Sequence, residues 1–567
     1  MRYDKWLICI LTAAFLSMIL FFATREYAWD ETVGITAEIT ADGETETITC
    51  WKSEWGDYFL MLPGCVELSQ IHLRTNTKNP VYLNDVLLQD GTSCENLVLG
   101  EQYNLCFGGN RDFNLTFLQS GNLPAMFIDT HSGSMERIHQ EKGNAEDGVL
   151  RLYGEDGHLH YTGALASIKG RGNATWQQEK KPYSLQLHAP ADLLNMGSAE
   201  NWILLANAYD ETNLRNKLAC DLADAAGLAF TPEINWVDLF LNGEYAGLYM
   251  LSERNEVHPE RVNIAREGSF LVSMELRERL EAQEYPYVST ASGAAFRVHY
   301  ADMDLDVLQK KLQAVENAIL APDGVDPETG KQWTDLIDLD SWVRKYLIEE
   351  ILGNYDAGAV SQYFYLDGSD PTGKIYAGPV WDYDNILGNL QWQSQNPQAI
   401  LAGRPHIADG ADTPWFYALS RKEVFSDRIR EVYQQTFRPL LSRLLQEEID
   451  QYTDAVREAS DLNGWRWNMG AYAERTEELC IFLEERMEFL DNLWLYTEPC
   501  HTVQICNGMG AWACFAVKPG EHLTGLPEYD PDTYLGWFYF GTDTAFDITQ
   551  PIYEDAAIVL KPAEENN

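Results

Sequence analysis

Four cations fall within 13 residues of the segment IKGRGNATWQQEKKPYSLQL (Ile168–Leu187): Lys169, Arg171, Lys180 and Lys181. Gly170 and Gly172 flank the arginine, and glycine lets backbone N–H groups approach anionic oxygens, so the segment reads as an anion site. A solvated hairpin with edge lysines is the structural rival. Further along, VWDYDNILGN (Val380–Asn389) places Asp382 and Asp384 two residues apart. At a strand end two such carboxylates point the same way and reach one hard cation, while Asn385 adds a neutral oxygen. Asp356 precedes Asp382 by 26 residues. One carboxylate that orients an attacking hydroxyl, and another that binds a metal beside the transferring phosphoryl group, is the arrangement of a phosphotransferase. For both acidic turns, a capping aspartate is the alternative.

Positioning these groups requires a mixed scaffold. Tyr346–Gly368 (YLIEEILGNYDAGAVSQYFYLDG) predicts an amphipathic helix ending near Gly353 and a strand from Tyr363, with Asp356 in the turn between them. Short β-type runs occupy Leu123 to about Tyr300, with one helix at Thr212–Ala226. From Leu305 to Trp494 the pattern is mostly helical, and Leu479, Phe482, Leu483, Leu490, Leu493 and Trp494 share one face at helical spacing. Before this region, Thr32–Phe107 alternates β runs with AspGly turns at 42 and 90 and reads as a small β-sandwich. The fold class is therefore α+β, with a mostly helical C-terminal part and flanking all-β modules. The units expected are 1–25, 30–108, 120–496 and 498–567.

The chain has 567 residues, 45% of them hydrophobic, and carries 41 Lys+Arg against 87 Asp+Glu for a net charge of −46. Disorder is excluded by that apolar content. Nucleic acid is an unlikely partner for so acidic a surface, whereas basic partners, or small anions held with a metal cation, suit it. An apolar run without charge, Trp6–Ala23, follows Arg2 and Lys5. Its 18 residues would span about 27 Å as a helix, which suits a single-pass membrane anchor with the bulk of the chain outside. An oxidising exterior fits the cysteines, with Cys50–Cys65 and Cys94–Cys106 spaced to staple short loops. Cys500, Cys506 and Cys514 do not match the spacing of structural zinc sites.

Several long motifs in one order resemble the CotH kinase family, atypical protein kinases of the spore-coat-protein-H type. They are LeuPro at 123–124, IKGRGNATW with LysLysProTyr, NWILLANAYDETNLRNKLA (201–219), VDLFLNGEYAGLYMLSE (237–253) and GPVWDYDNILGN (378–389). The resemblance implies a fold related to protein kinases, ATP and Mg²⁺ as cofactors, and phosphate transfer to protein hydroxyls. On it, Asp356 corresponds to the catalytic-loop aspartate, Asp382 to the metal-binding aspartate, and Asp384 to a second ligand. Lys180 or Lys181, helped by Arg171, corresponds to the phosphate-binding lysine, and Glu253 to the carboxylate that orients it. Arg215 and Asn216 either face the same cleft or anchor their helix. The pattern departs at one point: kinase catalytic loops place an Asn five residues after the Asp, where this chain has Ser361 and then Gln362, so Gln362 is the candidate substitute ligand.

Near the C-terminus, Gly520, Pro527 and GlyTrp at 536–537 resemble the internalin-type B repeat of bacterial surface proteins, a spacer or contact module. Together these readings describe a membrane-anchored, outward-facing kinase of protein Ser/Thr, with a basic, Ser-rich protein as substrate and a cell-surface partner for the β modules. The other reading is a non-catalytic surface scaffold with a vestigial nucleotide cleft, in which Trp381 and Trp392 line a polysaccharide groove or, as Trp more often does, a core.

Overall fold

The computed structural model describes residues 34–563, apart from 78, 108–111, 390–394, 405–414, 496–499, 508–509, 525, 527 and 532. The apolar segment Trp6–Ala23, Trp392 and Pro527 lie outside the described residues, and none of the described helices is long and apolar enough to cross a membrane. The molecule is mixed α+β.

Alternation in ITAEITA puts Ile35, Ala37 and Ile39 on one buried face of the first strand. Asp42 and Gly43 take φ of 51° and 88° to close the two-residue hairpin loop. The N-terminal unit stacks a four-stranded sheet on a six-stranded one that ends with Asp112–Gln119. Cys50, Cys65, Cys94 and Cys106 are free thiols, so the two disulfides expected from spacing do not form. Cys50 follows a strand of one sheet and Cys65 a strand of the other, and the Cys50 thiol turns back to the Ile35 carbonyl at 3.6 Å. Burial pushes the Cys65 and Cys94 thiols up to about 12, which makes them inert.

Seven strands then close a barrel: Ala125–Thr130, Ala145–Tyr153, Leu159–Gly170, Tyr183–Asp192, Ser198–Leu205, Glu244–Glu253 and Ile234–Leu241, in that spatial order. Closure is parallel, Ala125–Thr130 lying beside Ile234–Leu241, while every other pairing is antiparallel. Met126, Ile128, Leu150, Leu152, Leu185, Leu187, Val237 and Leu239 fill the interior. Between the last two strands in sequence, Asn242 and Gly243 (φ 50° and 83°) form the two-residue turn that AsnGly favours.

A five-stranded sheet follows, ordered Tyr287–Ser289, Ala295–Ala301, Phe270–Met274, Tyr363–Leu366, Tyr376–Ala377. One face, with Phe270, Val272, Phe296 and Phe364, joins the large core built by the helices Leu305–Leu320, Leu339–Ile351 and Tyr472–Trp494. The apolar stripe read from the sequence is part of that core: Leu479, Phe482, Leu483, Leu490 and Trp494 are buried in it and Leu493 packs against it. The other face, with Leu271, Tyr363 and Tyr365, turns toward the barrel side and Trp381. Ile449–Trp467 packs along the barrel through Trp467 Nε1 to the Ala246 carbonyl (2.9 Å) and Arg466 to Glu244 (2.7 Å). A four-stranded sheet, from His501–Asn507 to Ala556–Pro562, ends the described chain around Val503, Ile505, Trp537 and Ile558.

The N-terminal unit meets the barrel through a buried charge. Glu46, 2% exposed, accepts from Arg151 Nη2 at 2.9 Å and from the Tyr153 hydroxyl at 2.9 Å, and Arg151 also pairs with Asp129. Breaking such a pair from one side strands the remaining charge, at a cost of about 3–5 kcal/mol. Arg151→Met should therefore lower the first thermal unfolding transition, and the double variant Glu46→Leu/Arg151→Met should recover most of the loss in a calorimetric scan.

Candidate active site

Asp356 is positioned by the end of the Leu339–Ile351 helix. Asp338 caps its start, accepting from Ser341 N at 2.9 Å, and Gly353 (φ 63°) turns the chain out of it. Asn354 comes next, and its Oδ1 accepts from the Asp356 N–H at 3.0 Å. The Asn354 amide donates to Glu349 Oε2 at 2.5 Å. Glu349 Oε1 pairs with Lys345 and accepts from the Tyr383 hydroxyl at 2.6 Å, while Lys345 donates to that hydroxyl oxygen at 2.9 Å. Lys345, Glu349 and Tyr383 have no exposed surface at all, so their charges are compensated only within this network.

Tyr383 lies between Asp382 and Asp384, and while its ring is buried, Asp382 is exposed and Asp384 half-buried. Their loop is not a strand end, since the preceding strand stops at Ala377. It is held instead by side chains from elsewhere. Asn216 Oδ1 accepts from Tyr383 N (2.9 Å), Arg215 donates to the carbonyls of Ile386 (2.9 Å) and Leu387 (3.3 Å), and Asn255 donates to Val380 O (3.1 Å). Asn389 closes the loop on the Asp384 carbonyl at 2.7 Å. Arg215 is itself fixed by Asp210 at 2.5 Å. Of the two roles open to Arg215 and Asn216, anchoring is therefore the one observed, and what they anchor is the acidic loop. Asp382 sits at φ 72°, a left-handed backbone uncommon outside glycine, and its Oδ2 accepts from Ser361 Oγ at 3.0 Å.

The acids lie near enough to feel one another's charge. Burial, then the charge of Asp382, raises Asp356 to about 7, against the pull of Arg404 and Arg279. Asp384 is raised well above the usual carboxylate range by burial and by Asp382, Asp356 and Asp210. Arg171 stands beside them, 5.3 Å over the Trp381 ring and coupled to Asp382 and Asp384.

The barrel-facing side of the five-stranded sheet supplies the opposite wall. Ser273 pairs across the sheet with both Arg297 and Tyr363, so all three share a face. A register shift leaves His299 as an extra residue, a bulge that aims its ring at Ser273 Oγ (2.9 Å) and stacks it on Tyr363 (centroids 5.0 Å apart). Burial, helped by Arg297 and Arg254, lowers His299 to about 3, so the ring is neutral. Burial raises Tyr363 to about 12, opposed by Arg297, Arg171 and Arg254. The charges of three guanidinium groups thus reach Tyr363, which also feels Asp382. Arg254 and Arg297 were not expected. A faint signal exists in RVHY after an apolar strand start, but the bulge that groups Arg297 with His299 cannot be read from spacing.

The remaining expected residues fall elsewhere. Lys180 is 2% exposed, donates to the Leu248 carbonyl at 2.5 Å and lies 4.7 Å over the Tyr249 ring. Burial lowers its ammonium well below the usual value, against Asp210 and Asp238. Lys181 donates to the carbonyls of Trp176 (2.9 Å) and Gln178 (2.7 Å). Glu253 pairs with Arg261 at 2.6 Å, where Arg261 lies 4.7 Å over Trp202. The lysine–glutamate pair expected from the kinase pattern is therefore corrected to Arg261–Glu253, because the chain turns back after Glu253 and brings Arg261 to it while Lys180 points to the barrel wall. Gln362 is fully buried, its amide nitrogen on Val360 O at 3.2 Å and its Oε1 unpartnered.

Among the described residues no three His, Cys, Asp or Glu side chains are grouped closely enough to hold a metal ion. The donor chemistry nevertheless fits a hard cation: mutually repelling carboxylates at Asp356, Asp382 and Asp384, and a buried, unpartnered Asn385 Oδ1. A cavity of about 660 Å³ lies elsewhere, bordered by Ser120, Glu155, Trp236 and Glu458.

Because the folded-state values of Asp356 and Asp384 lie above those of the unfolded chain, the folded protein binds more protons from about pH 4 to pH 7, and these groups lose stability as pH rises through that window. The metal-free protein should melt lower at pH 8 than at pH 5.5. Asp356→Asn should raise Tm at pH 8 by a few degrees and flatten this dependence, as followed by differential scanning fluorimetry.

The family model for the CotH kinase protein matches residues 168–490, more than half of the chain, including Asp356, Asp382, Asp384, Arg171, Arg254, Arg297 and the side chains that anchor the acidic loop. No curated protein matches the chain. By this match the chain belongs to the CotH kinase family.

Proposed function

We propose that this protein is a kinase that transfers the γ-phosphate of ATP to serine or threonine hydroxyls of a protein substrate, and that its barrel, five-stranded sheet and helical region form a scaffold related to that of protein kinases. The observation that carries this is the meeting of Asp356, Asp382 and Asp384 with Arg171, Arg254 and Arg297 around Tyr363. Asp356, close to neutral-pH titration, receives the proton of the acceptor hydroxyl. Asp382 and Asp384 would hold Mg²⁺, which when bound offsets charge on the phosphates. The guanidinium groups contact phosphate oxygens through charge-assisted hydrogen bonds. A basic, Ser-rich substrate suits a chain of net charge −46. The uncharged run Trp6–Ala23 after Arg2 and Lys5 supports anchoring in a membrane with the catalytic region outside, and the β modules are then placed to meet a surface partner.

A second reading, a surface scaffold with a vestigial cleft, draws support from the buried Lys180 and the engagement of Glu253 with Arg261. The two part in a melting experiment with Mg-ATP. Ligand at 100 times its dissociation constant adds about 2.7 kcal/mol to a folded state that binds it. A kinase should show that shift, lose it in Asp382→Ala, and retain it in Asp356→Asn, while the latter transfers phosphate to a Ser/Thr peptide at least about 10²-fold more slowly. A wild-type protein that shows no shift supports the scaffold.

A further inference from the structure

Ser361 lies five residues after Asp356, where the kinase pattern has a metal-binding Asn. Its surroundings indicate a different use of the position. The Ser361 N–H donates to Met274 O at 3.0 Å and the next residue's carbonyl accepts from Met274 N at 2.9 Å, so both peptide groups extend the ladder of the five-stranded sheet. Ser361 nevertheless has φ 58°, which swings its side chain out of the strand direction. The hydroxyl then meets Asp382 Oδ2 at 3.0 Å, and Asp382 too is left-handed, at 72°. Two non-glycine residues in sparsely populated conformations therefore meet side chain to side chain, one pinned by a sheet and the other by a loop tied to Asn216, Arg215 and Asn255. Gln362, the other candidate at this position, is wholly buried.

We infer that Ser361 is a positioning residue: its hydroxyl occupies one oxygen of Asp382 and fixes the carboxylate, so that the remaining lone pairs are presented to the divalent cation. The position that in other kinases contributes a ligand here braces one. This inference rests on the proposed function, since it concerns the cation of that same site.

Mn²⁺ binding to the full-length protein, followed by loss of the free-ion EPR signal with and without a non-hydrolysable ATP analogue, reads the role without turnover. Ser361→Ala should weaken Mn²⁺ by about 10–100-fold, the range expected for one hydrogen bond to a charged group. Ser361→Gly, which relieves the backbone but lacks a donor, should be equally weak. Ser361→Asn, which tolerates the left-handed backbone and restores a donor, should remain within about twofold of wild type. In turnover, Ser361→Ala should be rescued by raised Mg²⁺, with kcat regained at saturating metal. If Ser361→Ala binds Mn²⁺ as wild type does while Asp382→Ala does not, the inference falls and the kinase reading stands. Failure of Ser361→Asn to rescue also overturns it. A wild-type protein that binds no Mn²⁺ in either condition overturns the kinase reading and this inference with it.

Discussion

The buried pair Lys345–Glu349 holds together parts of the chain that have no regular structure of their own. Asp356 stands in a turn, and Asp382 and Asp384 in an irregular loop, yet each is one or two hydrogen bonds from this pair: Asp356 through Asn354, the other two through Tyr383. The arrangement is costly in isolation. Two ions removed from water are seldom more stabilising than an apolar pair of the same volume, and their use is better explained by the specificity of their geometry. Here that specificity is visible, because Glu349 divides its two oxygens, one for the turn that carries Asp356 and one for the acidic loop. An apolar substitute would fill the space and leave the two segments free to slide past each other.

A second constraint opposes the first. The network draws carboxylates together, and removal from water raises the energy of their charged forms, which is why Asp356 and Asp384 hold their protons more tightly than ordinary acids. The fold thus holds these acids together against their mutual repulsion. The same repulsion explains the clamping around the loop, where Arg215, Asn216, Asn255 and Asn389 hold backbone groups that it would otherwise spread.

Local chemistry was legible in the sequence where a side chain's role depends on its immediate neighbours. The helix before Asp356 and the strand from Tyr363 follow from periodicity, and the AspGly turn at 42 follows from residues that accept a left-handed backbone. Asp356, Asp382 and Asp384 stood out through the two-residue spacing of the pair and the placing of Asp356 in a helix-to-strand turn 26 residues before it. Roles that depend on closure were hidden. The barrel closes by pairing Ala125–Thr130 with Ile234–Leu241, more than 100 residues later, and no local pattern encodes that neighbour. Arg254 and Arg297 belong to the site only because of that closure and of the bulge at His299. The disulfide spacing misled for the same reason: residues near in sequence stand on different sheets.

The replacement of the expected lysine by arginines has a physical cause in the same burial. An ammonium group moved out of water gives up its proton readily, and Lys180 demonstrates this, with its ammonium driven well below the usual value where it rests on the Leu248 carbonyl and the Tyr249 ring. A guanidinium in a similarly dry place stays protonated, because its unperturbed value is high enough to absorb the penalty, and its planar face can stack on an indole. Arg171 does so over Trp381, within reach of the charges of Asp382 and Asp384. Positive charge beside a neutral, half-buried His299 and the raised acids Asp356 and Asp384 is therefore carried better by arginine than by lysine. The same argument accounts for Glu253: burial raises this carboxylate to about 7, and it pairs with Arg261 while accepting from the Glu233 N–H, so it serves as an anchor at the end of the barrel strand.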